Sequence, residues 1–134
     1  MDHMWKRVLF LTPVLILALL AVCEGHERSL EVLCPEATTT VEMQACLRQR
    51  YEAADKALNR VYKQLMSKLE SGRREKLRAA QRAWIRFRDA SAEFEAGEAE
   101  GGSMYPLVYM ATQVLKTEHR VDELKEILRR LASK

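Results

Sequence analysis

Glycine and proline are scarce, five and three among 134 residues, which excludes the turn-dense folds whose short strands alternate with Gly- and Pro-rich loops. Histidine occurs only at His3, His26 and His119, at no spacing that a zinc site uses. No nucleophile motif pairs a serine or cysteine with a histidine, and there is no Gly-rich phosphate loop. Carboxylate pairs of the glycosidase kind could be drawn from almost any of the acids, so they single out nothing. The expectation is a protein without catalytic residues, metal or cofactor. Neither charge sign prevails either, with 22 bases against 19 acids and a formal charge of +3. That surplus is too small to imply a phosphate backbone, and no nucleic-acid partner is expected. What abounds is Leu, Ala, Glu, Lys and Arg, and 48% hydrophobic with 31% charged residues describes one globular, all-α domain with a modest core.

The long apolar run lies at the N-terminus. Lys6 and Arg7 precede 15 residues, Val8 to Val22, interrupted by Thr12 and Pro13 and followed by Glu24-Gly25-His26. A basic flank, a short apolar run and a polar exit form a secretory signal. As a helix the run reaches about 22 Å, short of the roughly 30 Å hydrocarbon core, which favours cleavage over an uncleaved membrane anchor. Leu20-Ala21-Val22-Cys23 resembles a bacterial lipobox, with Val22 where a small residue is usual. Cys23 is therefore a candidate for lipidation, and ordinary cleavage after Cys23 or Gly25 is the alternative. Residues 1–23 read as a signal peptide or lipoprotein signal, 24–38 as an N-terminal arm and 39–132 as a helical domain. The expected location is the periplasm or cell envelope, with membrane attachment only through a lipid or an uncleaved signal. Without residues 1–23, 20 bases and 18 acids are left, so the working domain is nearly neutral. Export into an oxidising compartment lets Cys34 and Cys46 pair across 11 residues, a bridge worth about 2–3 kcal/mol.

Thr39 and Glu42 have the form of a capping box. From Met43, the positions Leu47, Tyr51, Ala54, Leu58, Val61, Leu65 and Leu69 lay one apolar stripe along a helix of about 30 residues. Ser71-Gly72 breaks that pattern, and a second stripe runs through Leu77, Ala80, Trp84, Phe87, Ser91 and Phe94, with Ile85 as an extra apolar position. The Gly-containing stretch from 97 to 103 is the next break. A third helix is expected from a cap near Ser103, with Pro106 in its first turn and a stripe through Leu107, Ala111, Val114, Val121, Leu124, Leu128 and Leu131. The sum is an antiparallel bundle of three long helices with one N-terminal disulfide: a helical hairpin with a third helix packed on it.

Several segments together carry a resemblance. Cys34 and the stretch from Thr39 to Cys46 (TTVEMQAC) come first, then Ala53 to Tyr62 (AADKALNRVY) and Ala79 to Asp89 (AAQRAWIRFRD), then Gly101-Gly102-Ser103 and Thr117 with Arg120. Over about residues 34–125 the chain resembles the LprI-type lysozyme-inhibitor family, and the Gln-Arg-Ala-Trp block with Arg-Asp is the most specific part. The resemblance implies a small exported helical protein of the bacterial envelope, with a lysozyme as protein partner and inhibition by binding as the activity. The family pattern usually carries a second cysteine pair at the positions of Ala92 and Thr112. Both are absent together, which leaves helix 3 tied to helix 2 by packing alone.

Two groups of residues stand out. Trp84 and Arg88 lie four apart on one helix face, where the guanidinium can stack on the indole, and Asp89 or Glu118 can receive its charge. With Gln81, and with Asn59 and Tyr62 as further members, they read as a structural polar network rather than a ligand site. The charge pattern is the second. Arg73, Arg74, Lys76, Arg78, Arg82, Arg86 and Arg88 crowd residues 73–89, whereas Glu93, Glu95, Glu98 and Glu100 follow with no base. These four acids and Tyr105 are the candidate partner-binding residues, because acidic side chains speed encounter with a basic protein such as a lysozyme. The alternatives are a structural or adaptor protein of the envelope and a toxin-immunity protein, neither with activity on lysozyme. His119 with Asp122 or Glu123 has only the spacing of a surface helix pair.

Overall fold

The computed structural model describes residues 30–133, and every regular element among them is helical. The signal-like segment, the candidate lipidation position Cys23 and residues 24–29 of the arm lie outside the described residues. Three long helices form an up-down-up bundle: α1, Thr40–Lys68; α2, Ser71–Ala96; and α3, Tyr105–Ala132.

α1 begins where its capping box requires. The Glu42 N–H donates to Thr39 Oγ1 at 3.2 Å, and the Glu42 carboxylate accepts the Thr39 N–H at 3.0 Å. The same carboxylate oxygen accepts the Thr38 N–H and hydroxyl, each at 2.8 Å, so donors that a helix start leaves unpaired are satisfied. The Thr38 N–H first, then the Thr38 hydroxyl and the Thr39 N–H, hold the Glu42 carboxyl below its ordinary value.

The turn after α1 falls at Leu69 and Glu70 rather than at Ser71-Gly72, which form the first turn of α2. Leu69 is buried with Leu65 and Leu124, so a leucine driven into the core makes this corner, without help from a glycine. The second connection contains a 3-10 turn, Gly97–Ala99, and needs glycine at one place, Gly101, whose φ of 76° strains an L side chain. α3 follows with Met104, not Ser103, as its N-cap and with Pro106 in its first turn. Met104 already has helical dihedrals and its carbonyl accepts the Val108 N–H at 3.0 Å, so the helix starts without a side-chain cap.

α1 and α3 run parallel and α2 runs against both. At one end Leu47 of α1 packs with Leu107, Ala111 and Val114 of α3; at the other, Leu58, Val61 and Leu65 pack with Val121 and Leu124. α3 packs extensively on both other helices, while α1 and α2, joined by two residues, keep their backbones apart. The expected antiparallel bundle of three helices is present, and the helix at its centre is α3. The reason lies in α2, whose inward positions are Leu77, Gln81, Trp84, Arg88, Ala92 and Ala96. From Leu77 to Arg88 it presents long polar and aromatic side chains that hold α1 at a distance, and its last two turns present the fully buried Ala92 and Ala96, which allow close approach. The expected stripe drifts off this face: Phe87 and Phe94 are 60% and 81% exposed. A reading by hydrophobicity follows the aromatics, whereas the face that packs advances through alanine and arginine.

The Cys34–Cys46 disulfide, with Cα atoms 6.1 Å apart, pins the preceding helical turn to α1. Leu30, Leu33 and Cys34 complete the core around Leu47. Replacing both cysteines by serine is expected to lower unfolding stability by about 2–3 kcal/mol, read as a shift in the urea midpoint relative to the oxidised protein. Glu42 sets an acid limit on the start of α1. A carboxyl lowered by folding contributes stability that is full above its unfolded pKa and is lost as pH falls through the folded one. NMR titration should therefore show the Thr38 and Thr39 amides losing protection on acidification below the ordinary carboxylate range, and Glu42→Gln should abolish that pH dependence.

Candidate functional site

A belt of charged and aromatic side chains separates the two apolar clusters. Arg50 of α1 grips α3 through a forked contact with Glu118, Nη2 lying 2.8 and 3.1 Å from the two carboxylate oxygens. Its Nη1 donates to the Leu33 carbonyl at 2.7 Å, so one guanidinium joins the arm, α1 and α3. Arg88 is 8% exposed, with its guanidinium carbon 5.6 Å from the Tyr51 ring and 5.3 Å from the Trp84 ring. Arg120 approaches Trp84 at 5.8 Å, placing two guanidiniums against one indole.

Hydrogen bonds hold this stack. Arg88 Nε donates to Asp89 Oδ1 at 2.8 Å, and Gln113 of α3 donates to the same oxygen at 3.1 Å. Arg120 Nε donates to Gln81 at 3.2 Å while its Nη1 meets Glu123 at 2.8 Å. The carboxylate beside Arg88 is thus Asp89, and Glu118 is taken by Arg50. These bridges add polar ties between α2 and α3 to the packing that was expected to act alone. Within the belt Thr117 is fully buried and its hydroxyl has no partner among the described residues.

Asn59 and Tyr62 lie apart from the hydrogen bonds of the stack. Asn59 donates to Asp55 at 2.9 Å, and both residues, with Tyr62, line a cleft of about 410 Å³ between α1 and α2. Gln81, Arg82 and Arg88 line the cleft from the other side. The segments 53–62 and 79–89, which carry much of the family resemblance, therefore face each other across it.

The acidic candidates occupy one pole of the bundle. Glu93 and Glu95 belong to the last turns of α2, Glu98 lies in the 3-10 turn and Glu100 just after it. Phe94 stands exposed between the first two. Tyr105 opens α3 and stacks on Tyr109 with ring centroids 6.3 Å apart. Burial, and then the charges of Asp89 and Glu93, push the Tyr109 phenol upward. At the other pole Lys68, Arg73, Arg74, Lys76, Arg129 and Arg130 outnumber Glu70, Glu75 and Glu126, the last of which pairs with both Arg129 and Arg130. The change of sign along α2 becomes a charge separation along the bundle.

His119 and Glu123 form an exposed helix pair at 3.3 Å. Among the described residues no cluster of His, Cys, Asp and Glu could hold a metal, and no helix is long and apolar enough to cross a membrane. Arg50, Tyr109 and the exposure of Phe94 were not singled out from the sequence. Their roles depend on partners 68 residues away in the case of Arg50, and on which face of α2 turns inward. Replacing Arg88 by Met should cost about 1–3 kcal/mol in urea unfolding, because the stack is lost from a largely buried site. Lysine there should rescue little, since its ammonium lacks the planar face that fits between two rings.

The sequence matches the family described as lysozyme inhibitor LprI over residues 34–124. It is 32% identical over 129 residues to an uncharacterised protein of Rhizobium meliloti (strain 1021), covering 87% of this chain and 93% of the relative. No solved structure gives a significant match. With the family match spanning most of the chain and including both faces of the cleft, the chain belongs to the LprI lysozyme inhibitor family.

Proposed function

We propose that this protein is an exported protein-binding module of the cell envelope that inhibits a lysozyme by docking its acidic pole against the enzyme. The observation that carries this reading is Phe94, 81% exposed and flanked in sequence by Glu93 and Glu95, with Glu98 and Glu100 just beyond. An exposed aromatic costs solubility and contributes nothing to this core, but it suits an interface anchor ringed by charge. Lysozymes are strongly basic, so the acids steer encounter while the ring supplies buried area. Tyr105, on the same pole, extends the surface, and the turn at Gly101 and Gly102 lies between Glu100 and Tyr105 in sequence. The family match supports the choice of target.

A second reading is an adaptor of the envelope, supported by the opposite basic pole, which suits an anionic lipid surface or wall polymer. A toxin-immunity role would use the same acidic surface on a different enzyme.

A turbidity assay of lysozyme activity with the oxidised protein tests the first reading. Inhibition should saturate near one equivalent, Phe94→Ser should weaken it by about tenfold or more, and changing Glu93, Glu95, Glu98 and Glu100 to Gln should slow association and flatten its salt dependence. Absence of inhibition across several lysozyme types would overturn this reading in favour of the adaptor or immunity role.

A further inference from the structure

The cleft between α1 and α2 is separate from the acidic pole, and its composition is unlike a gap left by imperfect packing. Its rim carries Arg78 and Arg82, both exposed and neither held by an ion pair among the described residues. Arg88 lines the same cleft with Nε committed to Asp89. Three guanidiniums thus border one cavity whose single lining carboxylate, Asp55, already accepts a hydrogen bond from Asn59. Arg73 and Arg74, with Lys76, outnumber the acids Glu70 at the N-cap and Glu75 at the start of α2. The surplus of bases leaves a positive potential beside the cleft.

The remaining lining is neither purely apolar nor purely charged. Leu58, Ile85 and the ring of Tyr62 supply flat apolar surface, while Asn59 and Gln81 supply amide donors and acceptors. A bare inorganic anion uses only the guanidiniums. A peptide or lipid chain would call for more apolar depth. Guanidinium forks, amides and an aromatic ring on opposite walls of about 410 Å³ match a sugar ring bearing a carboxylate: the charge goes to the arginines, the hydroxyls to Asn59 and Gln81, and the C–H face to Tyr62. We propose that the α1–α2 cleft, bounded by Arg78, Arg82, Asn59, Gln81 and Tyr62, binds a carboxylated sugar, free or within a glycan. This binding needs no lysozyme and is independent of the acidic pole.

The test is an NMR titration of the oxidised protein that follows arginine Nε–H and tyrosine ring signals. The probes are glucuronate, glucose, acetate and inorganic phosphate. Glucuronate should move the signals of Arg78, Arg82 and Tyr62 saturably, leave Arg73, Arg74 and Arg86 in place, and bind about tenfold more weakly to Arg82→Gln or Arg78→Gln. Both arginines are exposed, so these variants keep the fold. Glucose, which lacks the charge, and acetate, which lacks the ring, should bind far more weakly. A uronate oligomer that binds more tightly than the monomer would support a glycan chain as ligand; equal binding would support a single sugar. The proposal is overturned if glucuronate moves nothing, if all exposed arginines respond alike, if phosphate or acetate matches glucuronate, or if the two variants bind as the parent does.

Discussion

The seating of α2 is the constraint on which the bundle turns. Apart from Arg88, the buried residues of this helix are Ala92 and Ala96, too little apolar surface to hold 26 residues by burial alone. What compensates is Arg88, clasped between Tyr51 of α1 and Trp84 and fixed through Asp89 to Gln113 of α3. A guanidinium suits this position because it is planar, weakly hydrated and able to stack while it donates hydrogen bonds. Since the same side chain is long, it also keeps α2 from closing against α1. Arg88 thus contributes both to the cohesion of the bundle and to one wall of the cleft.

α3 takes the role that α2 cannot. Its inward face runs unbroken from Leu107 through Val114 and Thr117 to Leu124, and it meets both apolar clusters. The forked contact of Arg50 with Glu118 ties the middle of α3 to α1 and, through the Leu33 carbonyl, to the arm that the disulfide anchors. Packing is therefore densest on the α1–α3 side. The two surfaces proposed for binding, the acidic pole with Phe94 and the basic cleft, both involve α2. A helix spared from forming most of the core is free to carry charge and exposed aromatics, and α2 carries both.

Much of this was legible along the chain. Thr39 and Glu42 announced the start of α1 because capping is local, involving atoms three residues apart. The stripes of α1 and α3 were readable because large aliphatic residues mark their buried faces. α2 was misread for the complementary reason: its buried face is made of alanine, tryptophan and arginine, while its large Phe87 and Phe94 point to solvent. The resemblance to the family rested on the segments 53–62 and 79–89, yet nothing in either segment says that they line one cleft.

The amino-acid sequence by itself determined the helical class, the cap of α1, the pairing partners for a disulfide, the family and the abrupt change of charge sign along α2. Each of these depends on composition or on neighbours within one or a few helical turns. Tertiary structure alone decided that α3 stands at the centre, that Glu118 serves Arg50 while Asp89 serves Arg88, and that three arginines border a cleft. Those outcomes depend on the rotation of each helix about its axis, which is set by how side chains of different length fill the space between helices rather than by any local preference.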